Sequence, residues 1–199
     1  MVTKIMPDDM INSFPISRLQ TIPGRPDYFS LSELRQAIKD NAGSFDTTRG
    51  GGQNGHLGAV INATAYARVD AANPYIAPVN PGTFVLATGA TDAQIAIANT
   101  QHKLDLIEWY EYSSMQQALK KQIMGAIDKK YLNPLRGEAG FNNCMVLRML
   151  EYLFTNYGQI TNSELNNNEK TMKKAWDPAN TFETIILQID EGIEFAEGG

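Results

Sequence analysis

Cysteine and histidine are scarce in this sequence, and their scarcity excludes several kinds of site. The single cysteine, Cys144, excludes an intrachain disulfide and favours a reducing compartment. It lies in the apolar run at residues 144–147, where a buried, unreactive thiol is expected. Two histidines, His56 and His102, are too few for most zinc sites, and the motifs C-x-x-C, H-E-x-x-H and G-x-S-x-G do not occur. The sequence therefore predicts no metal, no cofactor and no enzyme activity.

Basic residues and long apolar runs are also in short supply. Lysine and arginine number 17 against 22 acidic residues, for a net charge of -5. The lysines form isolated pairs such as Lys120 and Lys121, whereas binding to a phosphate backbone requires a basic surface. No apolar run approaches the ~20 residues that span a bilayer. We expect a cytoplasmic protein in which this segment binds neither nucleic acid nor membrane.

Proline and glycine are present in number, but mostly in the first half of the chain. Seven of the nine prolines lie within the first 81 residues, so residues 1–90 are predicted to be extended and irregular. One helix is expected there, near residues 30–42, because Ser30 and Glu33 form a capping box ahead of an apolar helical pattern.

The rest of this amino-terminal region is predicted from shorter signals. Residues 59–61 indicate a short strand, and Asn62 can cap a short helix. The proline-containing segment 70–90 is expected to form a long loop or an edge hairpin. The fold class predicted for the whole chain is mainly α, with an irregular Gly/Pro-rich amino-terminal region that leaves room for a short β-hairpin.

Helical periodicity dominates from Thr91 onward. Thr91 and Thr161 are suitable N-caps, and the two serines at 113 and 114 are expected to separate two helices. The segment 141–157 carries two adjacent apolar rows and is predicted to be the central helix. Its expected core residues are Met145, Met149, Leu150, Leu153 and Phe154. The predicted helical bundle, residues 91–199, contains helices near residues 91–112, 114–132, 141–157, 161–176 and 181–196.

The glycine-rich stretch is the first candidate site. It has the glycine spacing of a P-loop, but His56 and Leu57 replace the lysine and hydroxyl residue that contact phosphate and magnesium. Two interpretations remain. The loop can be the site of a small ligand-binding domain or small enzyme, with phosphate held by backbone amides, or it can be a glycine turn in which His56 makes a local hydrogen bond. The candidate loop residues are Gly50, Gly51, Gly52, Gly55, His56 and Gly58.

The last predicted helix carries the second candidate site. Its large apolar residues repeat at helical spacing close to the end of the sequence, while its acidic residues lie elsewhere on the helix. The stripe can be an interface for self-association or ordinary intrachain core, and part of it is expected to pack on the central helix. Its residues are Phe182, Ile185, Ile186, Ile189 and Ile193.

Ordered features along the chain add a family resemblance. They begin with residues 50–52 and 55–58, then Tyr66, Pro78, Pro81, Gly82, residues 118–120, Tyr131 and Leu132. They continue with Tyr157, Gly158, Ile160, Thr161, Leu165, Asn168, Met172, residues 176–178, Phe182, Glu183, Gln188, Ile189, Phe195 and Ala196. Across residues 22–197 this order resembles Gag-like capsid proteins of copia-type LTR retrotransposons, of the algal and protist type.

The resemblance implies a structural protein. Such proteins form helical capsid domains that multimerise around the RNA of the element, and they contribute no catalytic residues. The expected partner is therefore a second copy of the chain. RNA binding is expected only if a further segment, such as a zinc knuckle, supplies the basic region.

Overall fold

The computed structural model describes residues 6–86 and 88–197, and the described residues are mainly helical. Short 3₁₀ turns at Arg49–Gly51, Leu57–Ala59, Lys129–Tyr131 and Asn133–Leu135 join the longer helices. The α-helices are α1 (Pro7–Ser13), α2 (Tyr28–Gly43), α3 (Ala63–Val69), α4 (Asp92–Ala126), α5 (Val146–Tyr157), α6 (Asn162–Met172) and α7 (Glu183–Glu197).

The mainly α class predicted from the sequence is confirmed, but the β elements are not. Within residues 6–86 and 88–197 the only β pairing is an isolated bridge between Gly137 and Gly140. The predicted strand at residues 59–61 is wrong. Ala59 ends a 3₁₀ turn. The side chains of Val60 and Ile61, which follow it, are buried in the core. The described part of segment 70–90 is irregular instead of hairpin-like.

The longest helix, α4, replaces two predicted helices. It runs without interruption for 35 residues, about 52 Å, from the capping box formed by Thr91 and Gln94. The predicted break at residues 113–114 is absent: both serines lie within α4, and Ser114 is fully buried. The helix ends at Ala126 and not near residue 132. There the carbonyl of Ala126 accepts a hydrogen bond from the amide of Ile22 at 2.8 Å, so a contact distant in sequence pairs one of the terminal carbonyls of the helix.

Helix α5 begins five residues later than predicted. Met145 is its extended N-cap residue and is exposed, whereas Met149, Leu150 and Leu153 are buried as expected. The amide of Val146 donates to Oε1 of Gln116 on α4 at 3.1 Å, which caps α5 from outside its own sequence. Phe154 is only partly buried.

Other boundaries differ for local reasons. The predicted helix at 30–42 is present, but Asp27 is its N-cap: its side chain accepts from the amide of Ser30 at 2.9 Å. Helix α6 has the predicted cap at Thr161 but ends at Met172. Trp176, predicted to lie in this helix, follows its end and donates from Nε1 to the carbonyl of Thr181. The predicted helix 181–196 is present within two residues of its predicted bounds.

Helix α1 was not predicted, although its signals are present. Pro7 occupies a first-turn position and Asp8 and Asp9 follow, a pattern typical of helix N-termini. The helix packs on α4, where Asp8 forms a 2.8 Å ion pair with Lys121 and Met10 is buried.

One hydrophobic cluster joins α1, α2 and the carboxyl-terminal half of α4 to α5. The half of α4 that follows residue 112 lies at its centre, so α4 and not the segment 141–157 is the central helix. The fully buried side chains of the cluster include Leu31, Ile38, Met115, Leu119, Ile123, Met149 and Leu153.

The core assignment can be tested with Leu153→Ala. The substitution removes a fully buried side chain and is expected to cost ~2–5 kcal/mol of unfolding free energy, measured by urea denaturation. Leu104→Ala, at an exposed position of α4, serves as the control and is expected to cost less than about 0.5 kcal/mol. A loss below about 1 kcal/mol for Leu153→Ala would place α5 outside the core.

Candidate functional site

The glycine-rich stretch is a packed turn enclosed by its neighbours. A Cβ atom at Gly50 would collide with the Tyr66 hydroxyl, which donates to the Gly50 carbonyl at 3.0 Å. Gly55 has a φ of +49°, and a Cβ there would meet the carbonyl oxygens of Gly43 and Phe45. These glycines therefore allow close packing against the end of α2 and against α3.

His56 is the buried centre of this turn. Its amide donates to the carbonyl of Ala42 at 2.9 Å, and its Nδ1 is 2.7 Å from the hydroxyl of Tyr75. Burial lowers the pKa of His56 to about 4; nearby Glu108 acts in the opposite direction and Arg49 in the same direction. Burial likewise raises the pKa of Tyr75 well above its ordinary value. Both side chains are consequently neutral near pH 7.

An ion pair secures the outer side of the turn. The guanidinium of Arg49 donates from Nη2 to Oε2 of Glu108 on α4 at 2.6 Å and from Nε at 3.1 Å. Thr48 donates from its hydroxyl to the other carboxylate oxygen at 2.9 Å. The cation closest to the turn is therefore already paired within the chain.

The structure brings together the loop residues singled out in the sequence, but in a packed arrangement. The amides of Gly52, His56 and Leu57 donate to carbonyls of the chain, so an anion bound at the loop would have to displace these contacts. Gly58 lies against the ring of Tyr75, where a Cβ would collide. His56 makes a side-chain hydrogen bond, but its partner, Tyr75, lies 19 residues further along the chain and is not local in sequence.

The second candidate site lies on the α6–α7 pair, which is held together by the inner face of α7. Gly192 is buried against Met172 of α6, and its carbonyl accepts from Nδ2 of Asn168 at 2.8 Å. Gln188 donates to the carbonyl of Thr171 at 2.8 Å. In the sequence, glycine at 192 weakens a helix; in the structure, it permits close contact between the two helices.

Phe195 attaches this pair to the rest of the protein. Its ring is buried, stacks on Phe29 with centroids 4.7 Å apart, and meets Tyr28 edge-on at 5.3 Å. Tyr28 in turn meets Phe154 of α5 edge-on at 6.2 Å. The amino-terminal turn of α2 therefore fixes the position of α7.

The predicted apolar stripe forms the outer face of α7. The exposed fractions are 65% for Phe182, 46% for Ile186 and 44% for Ile193; Ile189 is also exposed and Ile185 is half-buried. Part of the stripe is expected from the sequence to pack on the helix at 141–157, which corresponds to α5. Four of its five residues, all except Ile185, are exposed and do not meet that expectation. The inward contacts of α7 are instead made by Gln188, Gly192 and Phe195, and they are chiefly with α6.

Further exposed apolar residues lie on the amino-terminal half of α4 and the segment before it. Ile97, Leu104 and Ile107 are exposed, as are Ile76 and Val85. The sequence gives the α4 row its correct helical spacing but does not reveal that this half of the helix extends beyond the core.

Potential metal ligands and reactive groups are dispersed. No three His, Cys, Asp or Glu side chains come together within the described part of the chain to hold a metal ion. Cys144 is buried as expected, and burial raises the pKa of its thiol. Among the described helices, none has the length and apolar character to cross a membrane.

The packed turn can be tested with a pair of glycine substitutions. Gly55→Ala is expected to cost about 2–4 kcal/mol, because a side chain at positive φ would press on two carbonyls. Gly82→Ala is the control: Gly82 also has positive φ (+68°) but nothing within 4 Å of the added atom, so a cost of about 1 kcal/mol is expected. Equal losses of unfolding free energy in urea would contradict the packed arrangement.

The buried His56 should make stability depend on pH. Because its folded-state pKa of about 4 lies below the ordinary 6.5, the unfolded chain binds the proton more tightly. The stabilising contribution is full above pH 6.5 and is lost as the pH falls towards 4. Between pH 7 and pH 5 we expect a loss of about 2 kcal/mol from this group. His56→Gln should show that much less pH dependence in urea titrations.

His102→Gln is the matched control for this experiment. It removes the other histidine, whose ring nitrogen lies 3.1 Å from the carbonyl of Gly82, and leaves His56 in place. The control should keep the pH dependence of the parent. If both substitutions change it equally, the effect does not come from the buried ring.

No protein-family model, curated protein or solved structure matches this chain. The resemblance to copia-type Gag-like proteins therefore depends on the ordered residues of the sequence itself.

Proposed function

We propose that this protein is a capsid-type assembly protein that associates with further copies of itself through the outer face of α7. The observation that carries the proposal is the row of exposed large apolar residues at Phe182, Ile186, Ile189 and Ile193. Such rows on one helix face are typical of protein–protein contacts. The packing of α7 on α6 leaves this row uncovered.

The way α7 is held supports an interface role. Phe195, Gly192 and Gln188 hold the inner side of the helix, so the outer face is presented on a supported element. A supported face loses less conformational entropy on association than a mobile one. Each contact can be weak, because an assembly of many copies multiplies weak contacts by valency.

The resemblance to Gag-like proteins is the reason for proposing a capsid as the assembly that this protein forms. A helical capsid protein needs no catalytic group, metal or cofactor, and we propose that this protein acts as a structural component. A cytoplasmic location agrees with the single, buried Cys144. RNA packaging would require a further basic segment, because residues 1–199 carry a net charge of -5.

Self-association should appear as a mass that rises with concentration. Sedimentation velocity of the parent is expected to show monomer at micromolar concentration and larger species towards millimolar concentration. Ile186→Asp together with Ile193→Asp should keep the protein monomeric over the same range, because two carboxylates would be buried in an apolar contact.

Leu187→Asp is the matched control for this test. Leu187 is on the same helix and is 58% exposed, but it lies outside the row formed by Phe182, Ile186, Ile189 and Ile193. This variant should associate like the parent, and circular dichroism should show unchanged helicity in all three proteins. A parent that stays monomeric at every concentration and salt level tested would refute the proposed function.

A further inference from the structure

A groove between α2, α3 and α5 has the chemistry to receive an amphipathic helix. Its volume is about 410 Å³, and its floor is formed by apolar side chains that include Val69, Leu150 and Phe154. Val69 is 52% exposed, so the groove is open to solvent at the end of α3. Grooves of this kind bind helices through apolar residues spaced one turn apart.

The rim of this groove carries more positive than negative charge. Arg35 and Lys39 line it from α2, and Glu151 lines it from α5. The guanidinium of Arg35 lies 4.0 Å from the centroid of the Phe154 ring, which holds that charge over the apolar floor. A partner helix with acidic residues beside its apolar row would be favoured here over a basic one.

Helix α7 has this composition and is poorly suited to pair with itself. Between residues 183 and 197 the sequence has five acidic residues and no lysine or arginine. Two copies of α7 placed face to face would bring these like charges together, which is destabilising. The acidic residues are Glu183, Asp190, Glu191, Glu194 and Glu197.

We infer that the occupant of the groove is α7 of a second copy of the chain, an inference that rests on the proposed function. The apolar row of α7 meets the apolar floor, and its acidic residues meet Arg35 and Lys39. The contact is head-to-tail, since the donated face and the receiving groove share no residue. Every copy can therefore donate its helix to one neighbour and receive a helix from another.

A mixing experiment tests the head-to-tail contact. The face variant carries Ile186→Asp and Ile193→Asp; the groove variant carries Val69→Asp, which places a carboxylate in the floor at an exposed position. Each variant alone should be monomeric, with association weakened about tenfold or more. An equimolar mixture retains one intact face and one intact groove, so it should form a one-to-one pair that grows no further.

The outcomes separate this inference from the proposed function. If the parent associates but the groove variant associates equally well, the groove belongs to another occupant and the inference fails. It also fails if both variants are monomeric and folded by circular dichroism yet do not pair when mixed, because one intact face and one intact groove would then not be sufficient for the contact. A parent that never associates refutes the proposed function itself.

Lys39→Glu provides a second, independent variant of the groove. It reverses one rim charge without touching the apolar floor, so association of this variant with itself should weaken. Its mixture with the face variant should pair as well as the mixture of Val69→Asp with the face variant, because the receiving groove in both mixtures belongs to the face variant and keeps Lys39. Association of Lys39→Glu equal to that of the parent would overturn the charge complementarity on which the inference depends.

Discussion

Three polar side chains on the buried half of α4 hold the backbone of the surrounding loops. Gln116 accepts from the amide of Val146, Lys120 donates from Nζ to the carbonyls of residues 141 and 142, and Gln122 donates to those of residues 16 and 17. Buried polar groups are costly unless they are paired, so α4 must lie where all these partners can be reached. That requirement constrains the positions of α1, α2 and α5. The cost of burial is visible at Lys120, where desolvation lowers the pKa of the ammonium group.

Local signals explain what the sequence could predict of this fold. Thr91, Thr161 and Asn62 each cap a helix within four residues of themselves, and all three were recognised correctly. Two of the misplaced ends, those of α4 and α5, are paired with groups distant in sequence. The amide of Ile22 pairs with the carbonyl of Ala126 at the end of α4, and Gln116 caps the start of α5 at Val146. No pattern within a short window contains that information.

The candidate sites also differ in how far the sequence alone reveals them. The row on α7 is visible in the sequence because helical spacing alone defines it, and the structure adds which side faces solvent. The groove between α2, α3 and α5 is invisible in the sequence, because Arg35 and Val69 are brought together only by the fold. The role of Gly55 was also hidden: glycine in a turn suggests ligand approach as readily as the backbone packing that the structure contains.

Helix α2 links the two surfaces of the proposed contact, the apolar row of α7 and the groove between α2, α3 and α5, within one copy of the chain. Tyr28 and Phe29 at its first turn hold Phe195 of α7, while Arg35 and Lys39 lie two to three turns further along the same 16-residue helix. In the proposed assembly, the angle between the donated face and the receiving groove is set by this one helix, about 24 Å long. Repeating that angle from copy to copy gives a closed ring when the rotation divides a full circle, and a filament when it does not. Changes at the aromatic contact between α2 and α7 would alter the curvature of the proposed assembly without altering the residues of its proposed interface.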